Sequence, residues 1–80
     1  ANLTGADLSG AVMLSGIFNG ANLSLTRMDG ADARGASFKD ARFTDANLTG
    51  LKGWQDADFA GACVSERTLL PSGLHLPECQ

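Results

Sequence analysis

Apolar and polar positions alternate along this chain with a period of five. Divided into fives, it reads ANLTG ADLSG AVMLS GIFNG ANLSL TRMDG ADARG ASFKD ARFTD ANLTG, ten units without a break. After the six-residue step LKGWQD the pattern resumes as ADFAG ACVSE. Most units open on a small residue, as at Ala1, Ala6, Ala11, Gly16 and Ala21. The third place is large and apolar: Leu3, Leu8, Met13, Phe18, Leu23, Met28, Phe38, Phe43, Leu48, Phe59 and Val64. Gly or Asp usually closes the unit.

A period of five suits neither regular structure. On an α-helix five residues sweep about 500°, so the large residues would spiral instead of forming a stripe. On a straight strand five is odd, and successive units would point to opposite faces. Within a unit, however, the small and large residues are two apart and share a face when extended. The next small residue returns to that face only if the chain turns a corner. Thr-Gly, Ser-Gly, Asn-Gly and Asp-Gly pairs stand at those corners, and Gly tolerates the positive φ that tight turns require. The pattern therefore predicts a coil of short extended pieces and corners, with small and large residues both facing inward.

These units resemble the pentapeptide-repeat family, whose motif is A(D/N)LXX, and the resemblance covers residues 1–66. It implies an all-β solenoid: a right-handed quadrilateral β-helix of about three coils, with four units per coil. Coils then stack one strand spacing apart, about 4.8 Å, and residues twenty apart become neighbours along the axis. Phe18, Phe38 and Phe59 fall in one file, the last shifted by the extra residue of the irregular step. Leu3, Leu23 and Phe43 form a second file, and Leu8, Met28 and Leu48 a third. The fourth shrinks through Met13, Ala33 and Gly53, leaving room that the flexible Met13 thioether partly fills. The step at 51–56 reads as a bulged corner. Trp54 either folds over that thinly filled face or lies outside.

The place before each large residue points outward and is normally Asn or Asp, as at Asn2, Asp7, Asn22, Asp32, Asn47 and Asp58. Stacking sets Asp7 below Arg27 and Asp32 below Lys52, pairs that support register and solubility more than chemistry. The unit pair AVMLSGIFNG breaks this rule. Val12, Leu14 and Ile17 occupy outward places around one corner of the first coil, and Leu25 is apolar at the next corner but one. Grouped outward apolar residues mark contact surfaces, whereas scattered ones are ordinary. These residues, with Trp54, are the candidate partner contacts. The alternatives are that residues before Ala1, or a second copy of the chain, cover the corner. The chain also opens directly on a motif residue, so the start reads as an uncapped edge available for self-association, or as the end of a fragment.

After ACVSE the pattern dissolves into RTLLPSGLHLPECQ, and residues 67–80 are expected to form a short helical or irregular cap. Ser65 suits a helix N-cap with Glu66 in the first turn, while Pro71 and Gly73 stop anything longer. Leu69, Leu70, Leu74 and Leu76 are available to cover the last coil. Cys63 in the final unit and Cys79 in the tail are candidates for a disulfide, which would clasp tail to coil and place the protein in an oxidising compartment. Two free thiols are the main alternative. A zinc site from Cys63, His75 and Cys79 lacks both the usual spacing and a fourth ligand.

Composition narrows the function. Eighty residues with a net charge of −3 make one small domain, and the 6 basic residues are dispersed, unlike the clusters of duplex-binding proteins. No run approaches the ~20 apolar residues of a membrane span, and with no charged-then-apolar leader the sequence reads as a soluble, mature chain. Catalysis has little support: the single His, His75, lies in the tail, and the repeat places the Ser and Asp residues without converging them on a cleft. Coils filled by their own side chains leave no pocket for a cofactor. The reading is a non-catalytic structural or protein-interaction module. The resembled family occurs in cyanobacteria and chloroplasts, which implies an accessory subunit on a photosynthetic membrane complex in the thylakoid lumen, with periplasm or cytoplasm as alternatives. A DNA-mimicking gyrase binder of the quinolone-resistance branch is the other reading. That mode implies a longer and more acidic rod than one interrupted by Arg27, Arg34, Lys39, Arg42 and Lys52.

Overall fold

A computed structural model describes residues 2–79 of the chain; the opening motif residue Ala1 lies outside them. Its units pair in parallel with units twenty residues on, in four series. Asn2, Asn22 and Arg42 pair in turn, as do Asp7, Arg27, Asn47 and Leu69; Val12, Asp32 and Lys52; and Ile17, Ser37 and Asp58. Ser37 and Asp58 are 21 apart, because the irregular step inserts one residue. Each straight side is so short that, among the described residues, only β1 (Arg42–Phe43) and β2 (Cys63–Val64) extend to two residues; they pair in parallel with Arg42 opposite Cys63. The result is a solenoid of stacked storeys measuring 28 × 24 × 19 Å.

Backbone hydrogen bonds along the axis hold the storeys together. Arg27 N–H donates to Ala6 O at 3.0 Å, and Arg27 O accepts from Leu8 N–H at 2.7 Å. The same exchange recurs at Asp32 and Ser37. The corners are β-turns closed by the opening residue of the next unit, as where Ala6 N–H reaches Leu3 O at 3.0 Å. The closing residue of each of the first ten units has positive φ: Gly5, Gly10, Gly20 and Gly30, for example, lie between 70° and 76°. This is why Gly closes so many units, and why Asp40 and Asp45, of a residue type that tolerates the left-handed region, replace it elsewhere.

Inside, the small and large residues interlock. Phe38 is fully buried and lies between Phe18 and Phe59, each ring centroid 5.2 Å away and nearly parallel, while Phe43 tilts against it at 5.6 Å. Parallel rings follow directly from parallel storeys one strand spacing apart. Each such pair contributes about 0.5–1.5 kcal/mol beyond area burial. Truncating a ring in this position removes about 3–5 kcal/mol, a large share of the margin available to so short a chain.

The irregular step departs from expectation. Gly53 does not continue the inward file of Met13 and Ala33; a side chain there would collide with Arg34 Cγ. Its φ of 70° instead turns the chain into a single 3-10 turn, Trp54–Asp56. Leu51 takes the place of the usual opening Ala and is buried, and half-buried Trp54 packs on the same core. The room left by small residues is therefore filled from a neighbouring position.

Residues 65–79 contain no helix. Ser65 opens a tight turn, with Thr68 N–H donating to Ser65 O at 3.1 Å. The stacked ladder captures the backbone groups that a helix would need. Leu69 N–H donates to Ala46 O at 2.9 Å, Val64 N–H to Pro77 O at 2.9 Å, and Cys79 N–H to Val64 O at 2.7 Å. Leu74 is buried and Leu70 and Leu76 are half-buried, but Leu69 is exposed. Adjacent residues on an extended segment face opposite ways, so Leu70 turns inward where Leu69 cannot.

Candidate docking surface

The corner chemistry explains what the outward Asn and Asp residues do. Asn2 Oδ1 accepts Thr4 N–H at 3.1 Å, and Asp7 Oδ1 accepts Ser9 N–H at 3.0 Å. Asn22 and Asn47 do the same for Ser24 and Thr49, at 3.1 and 3.0 Å. Asp32 and Asp58 serve Arg34 and Ala60, at 3.2 and 3.0 Å. Each is an Asx turn satisfying an N–H that the corner leaves without a ladder partner. The motif's D/N is thus a corner cap, a role that register and solubility alone did not suggest.

Val12 and Ile17 hold that capping place and cannot cap. They are 74% and 77% exposed, and Leu14, on the corner between them, is 50% exposed. Ser15, with φ 57°, closes this corner where Gly is usual. Among the described residues, neither Leu14 nor Asn19 has a protein acceptor for its N–H. Directly above, the second storey is polar: Asp32 over Val12, Arg34 over Leu14 and Ser37 over Ile17. The apolar surface is confined to one storey and one corner.

The other candidates do not join it. Leu25 is 56% exposed and closes the turn between the Asn22 and Arg27 sides, two corners round from Leu14 and so diagonally across the tube. Its φ is 61°, a region costly for Leu, and its N–H donates to Thr44 O at 2.8 Å. Trp54 belongs to the third storey, where it packs on the core and borders Gly73. Cys63 and Cys79 are joined by a disulfide, with Cα atoms 4.8 Å apart, which leaves neither thiolate for a metal.

The charged pairs also differ from those expected. Asp7 faces Arg27 and Asp32 faces Lys52 along the backbone ladders, but the ion pairs form elsewhere. Arg34 Nη2 meets Asp32 Oδ2 at 2.8 Å, and Lys39 Nζ meets Asp58 Oδ2 at 3.6 Å. Asp32 accepts from the Arg34 side chain two residues along its own corner, a shorter reach than the storey above. Those hydrogen bonds hold its carboxyl below the usual aspartate range, with the Arg34 guanidinium contributing first and the Arg34 N–H second. Asp7 is likewise lowered, chiefly by the Ser9 N–H.

Two structural residues, Thr26 and Asn19, escaped the sequence reading, and a third, Ser65, takes a role other than the helix N-cap that its sequence suggests. Thr26 stands in the small opening place and is buried; its hydroxyl donates to Leu23 O at 2.8 Å, reinforcing a corner whose own N–H bond is 3.4 Å long. Its place in the period was the available signal, since a hydroxyl that must be buried there has only the corner carbonyl to use. Asn19 Oδ1 accepts from Ser37 Oγ and Lys39 N–H one storey up. Ser65 Oγ donates to Asp45 Oδ1 at 2.7 Å, tying the 65–68 turn to the corner below it.

Comparison with known proteins agrees with this geometry. Residues 18–50 match the family model described as pentapeptide repeats (8 copies). Rfr23, a pentapeptide repeat protein from the cyanobacterium Cyanothece 51142, superposes with a TM-score of 0.84 at 27% identity, over 88% of this chain and 47% of that one. The thylakoid-lumen pentapeptide repeat protein AT2G44920 of Arabidopsis thaliana gives 0.60 at 26% identity, over 88% and 58%. QnrB1, a plasmid-mediated fluoroquinolone resistance protein, gives 0.80 at 22% identity, over 92% and 36%, a likeness of fold alone. The chain thus spans about half the length of Rfr23, at 47%. No curated protein matches it in sequence. With the five-residue period and the ladders twenty residues apart, residues 18–50 of this chain are a run of pentapeptide repeats, and the fold around them is similar to that of solved pentapeptide-repeat proteins.

Proposed function

We propose that this chain is a non-catalytic docking module, an accessory subunit that presents the Val12–Leu14–Ile17 corner to a protein of a photosynthetic membrane complex. We read the tube carrying that corner as a right-handed, four-sided β-helix of about three coils over residues 1–66, covered at one end by residues 67–80. The observation that carries the docking reading is the replacement of two corner caps. Val12 and Ile17, 74% and 77% exposed, stand where Asn or Asp would satisfy a backbone N–H. The fold gains nothing from apolar side chains there, so a partner that covers them accounts for their presence. The Cys63–Cys79 disulfide supports an oxidising compartment, and the likeness to a thylakoid-lumen protein supports the lumen in particular. Leu25, on the opposite corner, would serve a second contact or none.

The test is affinity capture from solubilised thylakoid membranes with the wild-type chain and with Leu14→Asp/Ile17→Asp. The variant should fold and lose the captured complex subunit; equal capture by both proteins refutes the docking corner. A gyrase supercoiling assay addresses the alternative, since inhibition by the wild-type chain would favour a DNA-mimicking binder.

A further inference from the structure

The disulfide sits where it controls a distinct piece of the molecule. Up to Leu69 the chain is held without it. Thr68 Oγ1 donates to Phe43 O at 2.7 Å, Ser65 Oγ to Asp45 Oδ1 at 2.7 Å, and Leu69 exchanges backbone bonds with Ala46 and Leu48 at 2.9 and 2.7 Å. Beyond Leu69 the attachments thin abruptly. Residues 70–79 make two backbone hydrogen bonds to the preceding ladder, Val64 N–H to Pro77 O and Cys79 N–H to Val64 O. Both lie within two residues of Cys79. Leu74 is the one buried side chain of the segment, and Gly73 passes beside the ring edge of Trp54. Ordering ten residues costs backbone entropy at every position, and so sparse a set of contacts offsets little of it.

We propose that Cys63–Cys79 is a reducible latch: reduction frees residues 70–79 while the ladders of residues 2–69 stay folded. The reductant is a dithiol. One of its thiolates attacks a sulfur of the Cys63–Cys79 bond, giving a mixed disulfide and releasing the other cysteine as a thiolate that takes up a proton. The second thiol of the reductant then resolves the mixed disulfide. Two cysteine thiols remain on the protein, and the reductant leaves as a disulfide. The freed segment withdraws Leu70 and Leu74 and uncovers Val64 and the edge of Trp54, so the apolar character of this end of the tube follows the thiol–disulfide state. Both half-buried cysteines are on the rim of the ladder, within reach of a small dithiol.

The experiment compares oxidised protein with protein reduced by dithiothreitol, using hydrogen exchange and the fluorescence of Trp54, the single tryptophan. Reduction should lower protection of the Val64 and Cys79 amides by at least about tenfold, as expected for a local opening, and move Trp54 emission to the red. The amides of Leu23, Met28 and Phe38 should keep their protection. Cys79→Ser should show the same pattern without reductant; where that variant fails to fold, the reduced wild-type protein decides. Unchanged protection at Val64 and Cys79 after reduction overturns the latch. So does loss of protection through all the ladders, which would make the disulfide a staple of the whole fold.

Discussion

Restoring the missing corner caps should make the protein more stable and less able to bind. The perturbation is Val12→Asn with Ile17→Asn, which returns an acceptor to the Leu14 and Asn19 N–H groups in the geometry seen at Asn2 and Asn22, where the bond is 3.1 Å. A cap of this kind contributes about 1 kcal/mol. Against it stands the apolar area each side chain still buries. At 74% and 77% exposure only about a quarter of the usual 1.5–3 kcal/mol is at stake, roughly 0.5 kcal/mol per residue. The two sites together should therefore gain about 1 kcal/mol, which for a domain of this length raises Tm by about 4–8 °C. Thermal unfolding followed by circular dichroism under oxidising conditions measures this directly. The same variant should fail to capture a partner in the membrane experiment. A Tm equal to or below that of the wild type would refute the reasoning, because Val12 and Ile17 would then be supporting the coil in a way that their exposure conceals.

Two further outcomes follow from the corners. Leu25→Gly should stabilise the protein by about 1 kcal/mol, since Leu25 holds a φ of 61° while largely exposed and a non-glycine residue there costs about 1–2 kcal/mol; denaturant titration checks it, and a destabilised variant would show that the side chain packs productively. The lowered carboxyls of Asp7 and Asp32 give stability that is fully present above the unfolded-state value, near pH ~4, and is lost as pH falls through the lower folded-state value. Asp32→Asn keeps the acceptor for Arg34 N–H but not the charge, so at low salt its Tm should fall less steeply than that of the wild type below that pH; identical acid limbs would show that the Asp32–Arg34 pair contributes nothing.

Fold and site were legible in the sequence to different depths, and the difference is physical. The inward files could be read because their constraint is repeated. Phe18, Phe38 and Phe59 must share a storey-to-storey column if a corner falls every fifth residue, and their rings lie 5.2 Å apart. The irregular step could be located but not built: nothing local in LKGWQD says that Gly53 will lie under the Arg34 stem, or that Leu51 will fill the core. For the cap expected over residues 67–80, helical or irregular, the local signals Ser65 then Glu66 are those of a helix N-cap, and the segment is irregular. Its backbone groups instead meet a ladder edge that only the folded coil supplies. The outward face was legible as composition, yet its logic was hidden, because Asn and Asp look the same in a sequence whether they solubilise, pair with charge or cap a turn. Once the caps are seen, Val12 and Ile17 change meaning. They are no longer merely exposed apolar residues, of which any surface has some, but positions at which a corner forgoes a hydrogen bond it makes at Asn2, Asp7, Asn22, Asp32, Asn47 and Asp58. Arg27 and Arg42 also stand at the capping place without capping, so it is the apolar character of Val12 and Ile17 at adjoining places, together with the forgone caps, that motivates the proposed contact there.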